Sequence, residues 1–432
     1  MAVDTPAKIA ILGAGPVGLE AALYARYLGY DVVIYEQGEA VAASVNRWGH
    51  ARMFSPFGMN SSPLGLAAIR CQDEAYRPPA ADALLTGREW VDRYLLPLSQ
   101  TDLLADHVRL GAGVVRVGRP ELHKADLAGD PDRGDWPFRI LLRDAAGQES
   151  FALADVVVDC TGVFAAPPPW LGHGGIPAIG EMSLRASQPP LIELRLPDIL
   201  GSDRAQYAGQ RILLIGGGYS AATNALALAQ VAREVPATRV TWLTRREAPA
   251  GSGGPLPLIP SDPLPERDRL ARAANRLASD ANSGIVHWPL TVVEKLTRGA
   301  AGSAMEVELS GEHAGTFTFD RIIANVGFQP DRAIYEELQV HECYATHAPL
   351  KIAAGLAPSS STDCLDQAAG GGQALLNPEP NFYILGAKSY GRDSRFLFSA
   401  GLEQIRELFT ILGERETLDL YASAKQLIAD HS

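Results

Sequence analysis

A glycine-rich turn near the start of the chain is the feature that most restricts how this sequence can fold. Residues 8–36 combine an apolar strand, a glycine turn, an amphipathic helix and a second strand. Within the turn, Gly13, Gly15 and Gly18 have the spacing GxGxxG. The first glycine permits a tight turn, the second lets the backbone approach a pyrophosphate, and the third allows close helix packing. The segment therefore predicts a βαβ unit that binds a dinucleotide.

The residue that ends the second strand indicates which nucleotide this unit accepts. Glu36 stands there, and a carboxylate at this position can hydrogen-bond both hydroxyls of a ribose. A carboxylate would repel a 2′-phosphate through like charge. We therefore expect an unphosphorylated ribose at this site, as in FAD or NAD.

Residues 211–246 repeat the same plan, with GGGYSA as the turn. The residues expected to line its phosphate site are Gly216, Gly218, Ser220 and Ala221. The second strand ends in Arg245 and Arg246 instead of an acid, and guanidinium groups can bind a 2′-phosphate through paired hydrogen bonds. We therefore assign this unit to NADPH. The alternative is that the two arginines are ordinary surface charge.

Three further strands are expected to return the chain to these turns. The segment 151–162 is predicted to be a buried strand that ends at Thr161 and Gly162, and the segment 319–331 has the same form around Gly327. A last strand, 382–385, stops at Gly386. Residues 251–269 are rich in proline and glycine and predict an irregular loop. An amphipathic helix is predicted over 398–413.

These elements predict an α/β chain with two Rossmann-like, three-layer domains. Its 432 residues exceed the usual size of a single core. The expected division is a discontinuous FAD domain, 1–205 and 325–432, and an NADPH domain, 206–324. This arrangement resembles the glutathione-reductase-like architecture.

Composition narrows the functional classes. The net charge of −12 argues against non-specific binding to nucleic acid. None of the four cysteines has CxxC spacing, and no apolar stretch reaches the roughly 20 residues that span a bilayer. We expect a cytoplasmic protein without a membrane segment, a disulfide framework or a metal site. A homodimer is left open.

In the order and spacing of these motifs, the chain resembles flavoproteins with two dinucleotide-binding domains, and among them the flavin-containing and N-hydroxylating monooxygenases. The resemblance implies FAD and NADPH as cofactors. It further implies oxygenation of a heteroatom (nitrogen, sulfur or arsenic) in a small molecule through a flavin hydroperoxide, with O₂ as co-substrate. Disulfide reductases of this architecture usually carry a CxxC or CxxxxC pair, and this sequence has neither.

The segment 46–63 is the region that the resemblance places beside the flavin ring. Flavin-containing monooxygenases have an asparagine followed by Ser or Thr there, and Asn60 is the matching residue. Trp48, Arg52 and Ser55 are further candidates to line the flavin or the substrate, together with His50. The alternative is a purely structural loop with a buried tryptophan.

Two features depart from the family pattern. The FxGxxxHxxxW/Y fingerprint is missing before the second glycine turn. Cys343 and Cys364 leave open a reductase or dehydrogenase that acts on a thiol, a quinone or a metal species. The histidines His341 and His347 beside Cys343 do not complete a standard metal-ligand spacing. A flavin-binding redox sensor is the third alternative.

The sequence after Gly386 is also unusual. Flavoproteins of this class usually have an aspartate after that glycine, whereas this chain continues as AKSYGR. It is similar there to a subset of bacterial flavoproteins that carry KSYGR, and this resemblance implies an association with arsenic- and metal-resistance gene neighbourhoods. A cation at Lys388 could stabilise an anionic reduced flavin, and the alternative is a solvated lysine on a turn.

Overall fold

The computed structural model describes residues 3, 5–187, 190–299, 304–356 and 371–430. The chain forms two compact units. Unit 1 comprises Met1–Ala166 and Gln329–Ser432, and unit 2 comprises Pro167–Phe328. Unit 1 is thus built from the two ends of the chain, and unit 2 from the segment between them.

The first part of unit 1 alternates strands and helices around the predicted glycine turn. A π-helical stretch, Val91–Leu95, joins its fourth and fifth helices. The elements, in chain order, are β1 (Lys8–Leu12), α1 (Pro16–Tyr27), β2 (Asp31–Tyr35), α2 (Ala43–Asn46), α3 (Pro63–Gln72), α4 (Gly87–Trp90), α5 (Leu96–Ser99), β3 (Val108–Arg109), β4 (Ala112–Gly118), β5 (Phe138–Asp144), β6 (Glu149–Ala154) and β7 (Val156–Asp159).

Unit 2 follows with a second set of alternating elements. They are α6 (Glu181–Arg185), β8 (Ile192–Glu193), β9 (Arg211–Ile215), α7 (Tyr219–Glu234), β10 (Arg239–Leu243), α8 (Pro265–Ser279), β11 (Ile285–Trp288), β12 (Thr291–Arg298), β13 (Met305–Gly311), β14 (Gly315–Phe319) and β15 (Arg321–Ala324). The chain then completes unit 1 with α9 (Leu350–Leu356), β16 (Phe382–Ile384), a 3₁₀ turn (Gly386–Tyr390), α10 (Phe398–Leu412) and α11 (Leu420–Asp430).

Unit 1 is organised around a parallel sheet with the strand order β16-β7-β1-β2-β3. Ile9 and Ile11 of β1 pack into a core shared with the helices, whereas Ala10 and Leu12 pack into a second core with the antiparallel sheet β4-β5-β6. Both faces of β1 are therefore covered, which is why its sequence is apolar without alternation.

Unit 2 repeats this organisation with the strand order β11-β10-β9-β15-β8. Ile212 and Leu214 of β9 face α7 and α8, and Leu213 and Ile215 face the antiparallel sheet β12-β13-β14. Each unit thus has the predicted three layers, a parallel sheet between helices and a small antiparallel sheet. The predicted α/β fold and both predicted βαβ units are confirmed.

Three sequence-based expectations differ from the structure. Unit 2 begins at Pro167 and not at 206, because β8 pairs with β15 and so joins the second sheet. The predicted single strand over 151–162 is two strands in different sheets, β6 and β7. The predicted irregular loop 251–269 contains the first turn of α8, which begins at Pro265 because proline is well tolerated at the first helical position.

The amphipathic helix predicted over 398–413 is confirmed. α10 spans Phe398–Leu412, and Ile405, Leu408 and Phe409 of its apolar face are fully buried. Within the described ranges, none of the helices combines the length and the apolarity that crossing a bilayer requires.

Candidate functional site

The glycine turn of unit 1 has the geometry that a bound dinucleotide requires. Gly13 has a φ of +97°, and a side chain at Gly18 would place its Cβ 2.0 Å from the carbonyl oxygen of Gly13. Both positions therefore need glycine. Gly15 faces open space instead, with no heavy atom within 4 Å of the place where a Cβ would lie. A ligand can approach the backbone there, beside the N-terminus of α1.

Glu36 is built into this turn. Its side chain is buried, and its carboxylate accepts hydrogen bonds from the backbone N–H of Ala14 at 2.9 Å and of Gly38 at 2.8 Å. These bonds hold the carboxylate at the end of β2, directly beside the glycine turn. Each carboxylate oxygen can accept more than one hydrogen bond, so capacity for ribose hydroxyls remains.

The return strand β7 closes the turn from the other side. A Cβ at Gly13 would lie 2.9 Å from the carbonyl oxygen of Cys160, which follows β7. Burial and the nearby Asp159 carboxylate raise the pKa of the Cys160 thiol. Gly162, two residues further on, has a φ of +71° and open space at its Cβ position. Thr161 and Gly162 therefore lie at the edge of the sheet where the predicted cofactor turn lies.

Lys388 is not the solvated lysine that was one alternative. Its side chain is fully buried, and its Nζ lies 2.6 Å from Oδ2 of Asp159 and 2.9 Å from Oγ1 of Thr161. It also lies 5.1 Å from the ring centre of Tyr335. Gly386, two residues earlier, has a φ of +73° and donates its N–H to Gln404 Oε1 at 2.8 Å. The last strand thus brings a cation to the same edge of the sheet, already paired with a carboxylate.

Asn60 is engaged within its own loop. Its Nδ2 donates to the Ser55 backbone oxygen at 3.0 Å, to Ser55 Oγ at 2.8 Å and to the Pro56 oxygen at 2.9 Å. Its backbone oxygen accepts from Trp90 Nε1 at 2.7 Å. The two hydrogens of this amide thus already serve three acceptors that shape the loop, and the expected hydrogen bond between Asn60 and the flavin stays a prediction.

The other candidates in the segment 46–63 lie around the same loop. Ser55 is buried, Trp48 is half-buried, and Arg52 is exposed and forms an isolated bridge with Thr86. Trp48 packs closely on Gly87, where a Cβ would come within 2.7 Å of the indole ring. The segments around Trp48 and Gly87 therefore pack against each other, and the side chain of Arg52 is exposed to solvent.

A buried acid behind this loop was not predicted. Glu20 of α1 is fully buried and accepts hydrogen bonds from the Tyr94 hydroxyl and from Ser62 Oγ, the latter at 2.8 Å. Ser62 in turn caps α3 by accepting from the Gly65 N–H. Burial raises the pKa of Glu20 to about 7, and the two hydroxyl donors offset only part of that effect. The signal in the sequence was a single acid in the apolar stripe of α1.

The turn of unit 2 has matching geometry. Gly216 has a φ of +138°, and a Cβ there would lie 2.4 Å from the carbonyl oxygen of Asn325, after the return strand β15. Gly218 faces open space at the N-terminus of α7, as Gly15 does in unit 1. Ser220 and Ala221 form the first turn of that helix, and Ala221 is buried.

Further features of unit 2 complete the correspondence. Gly327 has a φ of +95° and open space at its Cβ position, which matches Gly162. Arg245 and Arg246 are both exposed after β10. Next to them, Oγ1 of the buried Thr244 lies 3.0 Å from His287 Nε2, and burial lowers the pKa of His287 to about 4. The guanidinium groups stand outside this neutral interior.

Of the two cysteines that left a thiol reductase open, only Cys343 lies within the described residues. Cys343 is half-buried, and hydrogen bonds from the Thr346 hydroxyl and from nearby backbone N–H groups lower the pKa of its thiol. Cys364 lies outside the described residues. In the described ranges no set of three or more His, Cys, Asp and Glu side chains is arranged to hold a metal ion.

Comparison with known proteins agrees with this fold. The family profile for the alanine dehydrogenase/PNT C-terminal domain matches residues 2–119, which include the first βαβ unit. No curated protein sequence matches the chain. The chain is similar in structure to a bacillithiol disulfide reductase from Bacillus cereus, with a TM-score of 0.63 and 17% identity over 95% of this chain and 99% of that one.

Two oxygenating enzymes have the same fold. The FAD-bound cadaverine monooxygenase of Erwinia amylovora superposes with a TM-score of 0.60 and 14% identity, covering 96% of each chain. The ornithine hydroxylase of Pseudomonas aeruginosa gives 0.60 and 16%, covering 94% of this chain and 99% of that one. At these identities the similarity establishes the two-domain α/β architecture.

Proposed function

We propose that this protein is an FAD- and NADPH-dependent oxidoreductase, and specifically a monooxygenase that oxygenates a nitrogen, sulfur or arsenic atom of a small molecule. The observation that carries the proposal is the pair of glycine turns with opposite ribose chemistry. Unit 1 presents the carboxylate of Glu36, whereas unit 2 presents Arg245 and Arg246. An unphosphorylated and a phosphorylated dinucleotide on one chain are the requirement for hydride transfer from NADPH to FAD.

The residues of unit 1 suit FAD. The open position at Gly15 and the N-terminus of α1 would receive the pyrophosphate, and Glu36 would bind the adenosine ribose. The turns at Gly162 and Gly386, both with positive φ, present backbone groups at the same edge of the sheet. The chemistry supplied by bound FAD is acceptance of a hydride and activation of oxygen.

The residues of unit 2 suit NADPH. The open position at Gly218 and the first turn of α7 would receive its pyrophosphate, with Ser220 in that turn. Arg245 and Arg246 would bind the 2′-phosphate through charge-assisted hydrogen bonds. Gly327 would give the nucleotide room at the end of the return strand.

The loop 46–63 is assigned to the substrate side of the flavin. Asn60 keeps the loop closed on Ser55, so the loop can act as a fixed wall that excludes water. Trp48 supplies an aromatic surface, and the exposed guanidinium of Arg52 can orient a polar or anionic group. The folds of the cadaverine monooxygenase and the ornithine hydroxylase support an oxygenase assignment. The absence of CxxC spacing from the sequence supports it too.

Oxygen dependence tests the proposal. The protein is loaded with FAD, and NADPH oxidation and oxygen uptake are measured with amines, thioethers and organoarsenicals. We expect substrate-stimulated NADPH oxidation that consumes one O₂ per NADPH, with ¹⁸O from labelled O₂ recovered in the product. Substrate turnover that continues at the same rate without oxygen would reject the monooxygenase assignment while leaving an oxidoreductase.

A reductase that acts on a thiol or disulfide is the second candidate. The disulfide reductase of Bacillus cereus has the same fold, and the lowered pKa of Cys343 favours a reactive thiolate. This candidate predicts anaerobic NADPH oxidation with low-molecular-weight disulfides, which Cys343→Ser and Cys364→Ser would abolish. Unchanged turnover in the double variant would eliminate it.

A further inference from the structure

The buried ion pair between Lys388 and Asp159 is an unusual feature of unit 1. Both side chains are completely inaccessible to solvent, and their Nζ–Oδ2 distance is 2.6 Å. Asp159 also accepts hydrogen bonds from the N–H of Thr161 at 3.1 Å and from its hydroxyl at 2.7 Å. Removing two charges from water costs several kcal/mol per ion, so such a pair is a poor device for stability alone.

Unit 2 shows that the glycine turn folds without this pair. Asp159 is the register partner of Leu12, the last residue of β1, and Ala324 is the register partner of Ile215, the last residue of β9. The two positions therefore correspond. Two residues later Thr161 corresponds to Val326, and each is followed by a glycine with positive φ.

The corresponding residues of unit 2 are apolar. Ala324 belongs to a buried hydrophobic cluster and the partly buried Val326 packs against it, yet Gly216 packs on the carbonyl of Asn325 as Gly13 packs on that of Cys160. The backbone geometry of the turn thus does not require a carboxylate or a hydroxyl at these positions. The charges of unit 1 must serve something that unit 2 does not need.

The pair links two turns at the ligand-binding edge of the sheet. Lys388 belongs to the turn after β16, whereas Asp159 is the last residue of β7 and Thr161 lies in the turn that follows it. The two backbone segments are hydrogen-bonded there as well, since the Leu385 N–H donates to the backbone carbonyl oxygen of Asp159 at 3.0 Å. Each turn contains a positive-φ glycine, Gly162 or Gly386. Ligands of parallel α/β sheets bind at the carboxyl ends of the strands, which is where both turns lie.

We infer that Lys388 and Asp159 are positioning residues for the FAD of the proposed function. They hold the Thr161–Gly162 turn and the Gly386 turn at the separation at which their backbone groups meet the cofactor. Lys388 does not offer a free charge to the flavin, because its Nζ is occupied by Asp159, Thr161 and the face of Tyr335.

FAD affinity separates positioning from simple stability. The variants are Lys388→Met, Asp159→Asn and the double variant. The double variant replaces both charged groups by neutral ones, so it leaves no unpaired buried charge. Arg133→Met is the control, because Arg133 belongs to an equally buried ion cluster of unit 1, in which Glu379 keeps Arg119 as a partner after the substitution. For each protein the FAD dissociation constant, the Tm of the apoprotein and the reduction potential of the bound flavin are measured.

We expect each single variant to weaken FAD binding at least about tenfold, as the loss of groups that orient a binding site commonly does. The double variant should lose no more than the singles, because the two residues act as a unit. Arg133→Met should lower Tm without weakening FAD binding.

Two results would overturn the inference. One is FAD affinity in the double variant that matches the Arg133→Met control. The other is a pair of opposite shifts in reduction potential for Lys388→Met and Asp159→Asn, which would indicate that the charges act directly on the flavin. The inference rests on the proposed function. If the wild-type protein takes up no FAD, both the inference and the proposed function are rejected, and this is known before any variant is compared.

Discussion

The glycine turns of the two units share one backbone geometry but differ in whether the charged side chains beside them are buried or exposed. In both, the first glycine of the turn packs on a carbonyl after the return strand, and the second glycine faces open space. Unit 1 places its ionisable groups inside: Glu36, Asp159 and Lys388 are all buried. Unit 2 leaves Arg245 and Arg246 on the surface.

This difference indicates how each site can be tuned. Groups buried in unit 1 are coupled to folding, so changing them alters stability together with binding. Exposed guanidinium groups in unit 2 contribute little to the free energy of folding, so changing them should alter ligand affinity alone. A cofactor that stays bound through many turnovers suits the first design, and one that is exchanged at each turnover suits the second.

The largest expected effect comes from the glycines. Gly18→Ala and Gly216→Ala should destabilise their units by more than about 4 kcal/mol, because each new Cβ would overlap a backbone carbonyl oxygen. Gly15→Ala and Gly218→Ala, which point into open space, should keep the wild-type stability and lose ligand affinity instead. Denaturant titration of the apoprotein and ligand titration followed by fluorescence measure the two properties. Equal stability of all four variants would disprove the parallel between the turns.

The second effect concerns Glu20 and the pH dependence of unit 1. Its pKa is about 7 in the folded protein against an ordinary 4.5. Between these two pH values the folded protein therefore keeps Glu20 protonated, whereas the unfolded chain has released that proton. Stability should therefore fall by roughly 3 kcal/mol as pH rises from about 4.5 to about 7.

Glu20→Gln should remove this loss, and the exposed Glu39→Gln serves as control. Urea denaturation at several pH values between 5 and 8 measures the difference between each variant and the wild type. A constant difference between Glu20→Gln and wild type over that range would count against the buried acid.

The third effect is on cofactor choice in unit 2. Arg245→Ala with Arg246→Ala should weaken NADPH binding roughly 10- to 100-fold, since a charged hydrogen bond contributes about 1.5–3 kcal/mol. NADH binding and Tm should not change. Arg233→Ala, an exposed arginine in the last turn of α7, is the control. Equal weakening of NADPH and NADH would show that the arginines do not recognise the 2′-phosphate.

The smallest effect is expected at His287, because its ring is only half-buried and solvent screening reduces the energy that its pKa shift represents. Burial lowers its pKa to about 4 from an ordinary 6.5, so the unfolded state binds the extra proton first. Its contribution to stability is present above pH 6.5 and is lost as pH falls from 6.5 toward 4, the opposite direction to Glu20. His287→Asn should flatten the acid side of the stability profile of unit 2, and the exposed His50→Asn should not. Calorimetry between pH 4 and 7 can resolve the two slopes.

The parts of the fold that were predicted from the sequence are those encoded locally. The glycine turns, their flanking strands and α10 each lie within a few dozen residues, and their spacing alone identifies them. The error over 151–162 arose because Phe151 of β6 is apolar but exposed, with the guanidinium of Arg139 3.7 Å from its ring centre. An apolar run alone does not reveal that the chain changes sheets.

The parts that were missed depend on distant partners. Lys388 and Asp159 are 229 positions apart in the chain, and Glu20 and Tyr94 are 74 apart. Neither pairing leaves a periodic signal, because each depends on which distant elements the fold brings together. The engaged amide of Asn60 was missed for a different reason. A family motif indicates where a residue stands, but not which hydrogen bonds its own loop already takes from it.

The position of Cys160 has a practical consequence. Its backbone carbonyl packs on Gly13, and burial together with the Asp159 carboxylate raises the pKa of its thiol, which slows alkylation. In a variant whose other cysteines (Cys71, Cys343 and Cys364) are replaced by serine, the rate of alkylation at Cys160 would report how often the turn opens. The alkylation rate of Cys160 would thus measure local opening of the first nucleotide site, and a dinucleotide that binds there should lower that rate.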